Sequence, residues 1–154
     1  PRTNRYEVWH PIEYIGEALR CFGSGCHVAS VLLLGVASES VFLELCKGIR
    51  SSLQIPNEQN KLDDKLPVKV KHRWVVTKYQ NLPNQVKREE LPESLDMTLT
   101  SLYDMIRRQR NELGHPQNQL PTVNREHAFM FFRLLPGFIQ DIEDFANYCK
   151  NNSI

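Results

Sequence analysis

The run Arg107-Arg108-Gln109-Arg110-Asn111-Glu112-Leu113-Gly114-His115-Pro116 brings an arginine, an asparagine and a histidine to the place where a helix should stop. Each of the three has its own competence. The Arg110 guanidinium offers planar donors that fit a carboxylate or the non-bridging oxygens of a phosphate. His115 carries a ring that titrates near neutrality and can move a proton, and a helix C-terminus favours its charged form. Asn111 can orient the phosphate or the imidazole. Together they suit the holding of an anion while a proton is transferred, chemistry that requires no metal and no cofactor.

That chemistry depends on where the helix ends. Gly114 is a common residue just past a helix C-terminus, and Pro116 disfavours helical geometry at His115. On an unbroken helix Arg110 and His115, five positions apart, would diverge by roughly 140°. A stop at Gly114 lets the imidazole turn back towards the guanidinium. Upstream, Leu95, Leu99, Leu102 and Ile106 step along one face of a helix that begins near Ser94, and the next position on that stripe is Arg110. A guanidinium in a core position is costly unless it is paired. Two readings stand side by side: Arg110 meets a carboxylate, a partner chain or an anionic ligand, or it lies at a frayed helix end with its head in water. His115 likewise reads as a proton carrier or as an ordinary loop residue.

Other helices must position this segment. Ile12, Ile15, Leu19 and Phe22 mark one face of a first helix closed by Gly23-Ser24-Gly25. A second helix, from about 27 to 51, is apolar nearly all round and is expected to be the central one. Glu39 lies within it, between Ser38 and Ser40. A lone carboxylate there needs a partner, and pairing with Arg110 satisfies both charges, so Glu39 is expected to orient Arg110. The alternative is a Glu39 that faces solvent at a groove. Residues 53–65, with Pro56, read as a polar loop. A third helix is expected over 68–80, with Val70, Trp74, Val75 and Tyr79 inward and Lys69, Lys71, Arg73 and Lys78 outward, a strand being the alternative for its valine-rich sequence. Pro83 and Pro92 bracket another polar connection. The last helix opens near Asn124, carries Ala128, Phe131, Leu135, Phe138, Ile142, Phe145 and Cys149 as one stripe, and should kink at Pro136.

The segment Arg110-Asn111-Glu112-Leu113-Gly114-His115 resembles the arginine, polar residue, spacer and histidine signature (R-x4-6-H) of the HEPN superfamily, all-α domains of ribonuclease toxins, defence systems and RNA-processing factors. Members often carry an earlier apolar helix with small residues and a glutamate, and residues 31–40, ending Ala37-Ser38-Glu39-Ser40, have that look. The resemblance covers roughly residues 12–150. It implies an all-α bundle of about five helices that dimerises through the motif helices. It further implies a metal-independent endoribonuclease, in which two copies of Arg110, Asn111 and His115 face one another across a homodimer cleft. RNA supplies its own nucleophile, the 2′-hydroxyl. Arg107, Arg108, Lys69, Lys71 and Arg73 are then the candidates for gripping the RNA backbone. Tyr103, two turns before Arg110, is close enough in sequence to approach the site. Some toxin members carry, two residues after the histidine, a tyrosine at which a nucleotidyltransferase antitoxin inactivates them. This chain has Gln117 there, so an antitoxin partner would have to act differently. The alternative within the same family is a non-catalytic module that binds RNA, a nucleotide or a protein inside a larger defence or stress-response protein, with a fused regulatory domain.

Composition bounds these readings. With 154 residues, 41% hydrophobic and 24% charged, the chain has enough material for one proper core. The expected division is an extension or linker over 1–11, with Arg2, Arg5, Trp9 and His10, a helical domain over 12–150 and a tail over 151–154. Opening on Pro1 rather than methionine suggests a trimmed or processed chain, or a domain cut from something longer. A net charge of +1 and a pI of about 8.1 exclude a general polyanion trap, so any nucleic-acid contact must be local. Cys21, Cys26, Cys46 and Cys149 form neither a disulfide framework nor a CxxC site, which points to a reducing, cytoplasmic setting. No second ligand pair accompanies Cys21, Cys26 and His27, so no metal site is expected. The apolar run over 28–37 is too short to span a bilayer and is followed by Glu39, so no membrane role is expected.

Overall fold

The computed structural model describes residues 10–114 and 122–152, with the side chains of 10, 102, 105, 106, 108–110 and 114 outside that description. All regular structure among the described residues is helical and no strand occurs there, so the chain is all-α. Eight α-helical segments are present among them: α1 (His10–Gly23), α2 (His27–Ser52), α3 (Pro56–Gln59), α4 (Val68–Gln80), α5 (Asn84–Glu89), α6 (Leu95–Met97), α7 (Tyr103–Gly114) and α8 (Arg125–Asn152). Sequence periodicity suggested about five because it detects only helices long enough to repeat. The short α3 and α5 lie in the two segments read as polar connections, and α6 is the opening turn of the motif helix. Pro56 starts α3 at a position where its missing N–H costs nothing. The valine-rich stretch is the helix α4, because its buried residues Lys71, Val75 and Tyr79 recur every four positions rather than every two.

The chain divides into two compact units. The first takes Pro1–Ser40 and Ile106–Leu135, the second Val41–Met105 and Pro136–Ile154.

In the first unit α1 and α2 meet through a tight turn. Gly25 sits at φ 78°, its N–H bonds the Phe22 carbonyl at 3.1 Å and the Cys26 N–H bonds the Cys21 carbonyl at 2.8 Å, the pattern that closes a helix through a left-handed glycine. Ala18 is buried in α1, as is Pro11 at its start, and the Ala18 carbonyl accepts the Ser30 hydroxyl of α2 at 2.9 Å. A methyl group at 18 allows that close approach. The expected inward stripe is therefore only half right: Ile12 and Leu19 remain 59% and 53% exposed. Phe22 packs edge-on against Phe132 of α8 at 5.3 Å, with the Arg125 guanidinium 5.4 Å above its ring.

In the second unit Phe42, Leu45, Cys46 and Ile49 of α2 are buried, as are Val75 and Tyr79 of α4 and Phe138, Ile142, Phe145 and Cys149 of α8. Tyr79 meets Phe145 edge-on at 6.0 Å. Glu58 of α3 ties to α4 twice, accepting from the Trp74 indole at 3.1 Å and pairing with Lys78 at 3.0 Å. The Lys78 hydrogen bond, first among several causes, holds the Glu58 carboxyl below its usual range.

The α8 stripe expected from Ala128 to Cys149 is buried at all seven positions. The helix continues through Pro136. By length and composition α2 could cross a membrane, with a window of mean hydropathy 1.8 of which 50% is buried within the protein. A core helix of a soluble protein passes the same test of length and composition.

Candidate functional site

From Leu95 the backbone runs without a break through α6, a π turn over Thr98–Leu102 and α7 to Gly114. The Tyr103 N–H bonds back to the Thr98 carbonyl, five residues earlier instead of four. Such a turn holds one more residue than an α turn and displaces the following face by about 100°. A stripe read at constant helical period does not survive it. Leu95 and Leu99 are buried as expected, but Thr98 and Tyr103, which the stripe left out, are buried as well.

The second unit grips this turn from two sides. Asp141 of α8 accepts the Ser94 hydroxyl at 2.8 Å through Oδ1 and the Thr98 hydroxyl through Oδ2. His72 of α4 donates from Nε2 to the Leu99 carbonyl at 2.6 Å, which fixes the ring tautomer with its proton there. The same ring stacks on Tyr103 with centroids 4.4 Å apart, and Phe42 lies 4.7 Å from Tyr103. Tyr103 is thus a core residue of the second unit. Sequence reading passed over Asp141, His72 and Thr98, and took Ser94 only as the start of the motif helix. The available signal was the one-turn spacing of the two hydroxyls at a helix start, together with an aspartate beside the apolar stripe of α8.

The motif segment belongs to the first unit. Arg107 and Asn111 stand one turn apart on one face of α7 and are both half-buried, whereas Glu112 is exposed. Arg108 and Arg110 lie in the same helix, their side chains outside the described residues, and His115 is itself outside them. Glu39 is half-buried on α2, and its neighbour Ser38 is buried and donates to the Leu34 carbonyl at 2.9 Å. The pairings Arg110 with His115 and Arg110 with Glu39 therefore rest on side chains beyond the description. A cation and an amide one turn apart, as Arg107 and Asn111 are, form a pair able to contact neighbouring oxygens of an anion.

The basic candidates on α4 split. Lys69 and Arg73 are exposed one turn apart. Lys71, expected outward, is only 2% exposed, while Val70, expected inward, is 44% exposed. The buried line of α4 is Lys71-Val75-Tyr79, so the lysine stem packs in the core and its ammonium reaches to 3.8 Å from the Asp64 carboxylate. Lys71 is committed inward and cannot grip a phosphate backbone. Burial pushes the Cys46 thiol up to about 12 despite the nearby Lys71 ammonium, which favours the thiolate. Burial likewise raises Cys149 to about 12. Both are inert at neutral pH. Cys26 is exposed and Cys21 half-buried. Among the described residues no group of three or more His, Cys, Asp or Glu is placed to hold a metal ion.

No protein-family model, no curated protein and no solved structure matches the chain.

Proposed function

We propose that the chain is an endoribonuclease of HEPN type that cleaves RNA without a metal, at a site composed of two copies of the motif in a homodimer. The observation that carries this reading is the position of the motif. Arg110 to Gly114 occupy the last turn of a long helix in an all-helical chain, with Arg107 and Asn111 half-buried one turn apart on one face. In the proposed reaction one histidine takes the proton of the RNA 2′-hydroxyl and the 2′-oxygen attacks phosphorus. The second histidine gives a proton to the 5′-oxygen as its bond to phosphorus breaks, leaving a cyclic phosphate and a free 5′-hydroxyl. Arg110 neutralises the charge that builds on the non-bridging oxygens, and Asn111 orients the phosphate. Glu39 positions Arg110. Arg107, Arg108, Lys69 and Arg73 are the backbone-binding candidates. The setting is cytoplasmic, and control comes from an antitoxin or a fused regulatory domain.

The test is cleavage of labelled RNA in EDTA by the parent chain and by His115→Ala and Arg110→Ala, purified identically. Cutting by the parent that both substitutions abolish, with helicity intact, supports the enzyme. RNA binding without cutting by any of the three replaces it with the non-catalytic module, and equal cutting by all three identifies a contaminant.

A further inference from the structure

Two cysteines whose spacing matches no motif in the sequence are brought together by the turn that closes α1. Gly25, at φ 78°, is its left-handed residue, and two backbone bonds close around it. The Gly25 N–H bonds the Phe22 carbonyl at 3.1 Å, and outside that bond the Cys26 N–H bonds the Cys21 carbonyl at 2.8 Å. In a helix end of this kind, the residues joined by the outer bond are the pair whose side chains meet across the cap. Here both are cysteines. The 2.8 Å bond, flanked by one N–Cα bond and the Cα···O span of one peptide, limits their Cα–Cα separation to about 6.7 Å. Disulfides span roughly 4.4–6.8 Å.

Both thiols are free, with Cys26 exposed and Cys21 half-buried. The Cys26 sulfur is turned back over the cap, 4.0 Å from the Ser24 carbonyl. Cys26 also borders an open cavity of about 630 Å³ with His27, Leu32, Thr122 and Asn124, so a small oxidant can reach it. The other two cysteines do not compete. Cys46 and Cys149 are buried in the second unit, and burial pushes their thiols up to about 12.

We propose that Cys21 and Cys26 form a reversible disulfide across the α1 cap, closed by exchange with a small-molecule disulfide such as oxidised glutathione. The Cys26 thiolate attacks one sulfur of the oxidant and breaks its S–S bond, and the departing thiolate takes up the proton that Cys26 lost. The Cys21 thiolate then attacks the Cys26 sulfur, and the second thiol leaves with the Cys21 proton. The two cysteines together give up two electrons, and the oxidant departs as two thiols. In a reducing setting so accessible a pair rests as thiols and closes when the oxidant rises, which is the behaviour of a sensor and not of a structural bridge. The pairing does not rest on the ribonuclease reading.

The test is incubation of the reduced native chain, without RNA, in graded ratios of oxidised to reduced glutathione, quenched in acid and read by intact mass and peptide mapping. The parent is expected to lose two hydrogens and to yield a linked Cys21–Cys26 peptide that dithiothreitol reopens. Cys21→Ser should stop at one glutathione on Cys26. Residues so near in sequence can also pair in an unfolded chain, so the same titration in concentrated guanidinium sets a baseline. The closing constant is expected to be at least about tenfold larger in the native chain, because the cap holds the thiols together. Gly25→Val strains the left-handed position and should bring the native constant down towards that baseline with overall helicity kept. A parent that does not react, stops at a single adduct on Cys26, bridges to another chain or closes no better folded than unfolded overturns the proposal.

Discussion

The opening of the motif helix and the helix α1 are held by different means. At the first, a carboxylate on α8 and an imidazole on α4 grip two hydroxyls and a carbonyl of the backbone run from Ser94 to Leu99. At the second, Ser30 bonds one carbonyl, the ring of Phe22 packs on Phe132, and the apolar residues Ile12 and Leu19 stay largely in solvent. Directional bonds from two helices fix rotation as well as distance. Apolar contact fixes distance and leaves rotation to whatever completes the face. The second unit therefore specifies its geometry closely, whereas α1 of the first leaves Ile12 and Leu19 largely exposed.

The largest break in this contrast is expected from Asp141→Ala. It strips the acceptor from the buried Thr98 hydroxyl and from Ser94, and urea unfolding should show a loss of about 2–4 kcal/mol. Alkaline pH comes next. Cys46 and Cys149, both in the second unit, are raised from an ordinary thiol value of 9.0 to about 12. Between those values the unfolded chain has lost protons that the folded chain keeps. Stability is then fully present below about pH 9 and lost as pH rises through the folded value, with a slope of about 1.4 kcal/mol per pH unit for each thiol. Thermal unfolding against pH, repeated on Cys149→Ala, should show the slope fall by one thiol's share, about 1.4 kcal/mol per pH unit, with Cys46 and the raised Tyr79 and Tyr148 supplying the rest. A third and smaller effect is expected from His72→Phe, which keeps a ring on Tyr103 and removes the donor to the Leu99 carbonyl, at about 1 kcal/mol. The smallest sharpens the other side: Leu19→Asp on α1 should change monomer stability by no more than about 0.5 kcal/mol. A loss several times larger would mean that Leu19 is packed after all.

Much of the helical frame is legible in residue spacing. Seven positions of α8, from Ala128 to Cys149, follow one period and are all buried. The boundaries of α4 are fixed by Pro67 at its start and the loss of apolar period at its end, and Gly25 marks the turn after α1. Orientation is less legible. Lys71 reads as a surface residue because of its charge, although its stem is as long and apolar as a core residue's, and only the burial of Val75 and Tyr79 at four-residue steps reveals its side. The π turn is invisible because a period count assumes a constant rise and rotation, and one inserted residue breaks both. For the candidate site the balance is reversed. The spacing of Arg110 and His115 is plain in the sequence, whereas the described side chains of α7 place only Arg107 and Asn111 on a common face. α1 fails in a third way, since an apolar stripe names a face but not how much of it is covered, and Ile12 and Leu19 stay more than half exposed.

The bond between Ser94 and Asp141 spans 47 residues. On a ribosome adding about 5–20 residues per second, the Ser94 hydroxyl waits roughly 2–9 s for its acceptor to be made, and longer for it to clear the exit tunnel. Until then the opening of the motif helix has no carboxylate to hold it. Each unit also needs part of α8, so neither can close its core before that helix is synthesised. Newly made chains consequently pass through a stage in which α2 exists without its covering helix, and that long apolar segment is then the part of the nascent protein with most need of a chaperone.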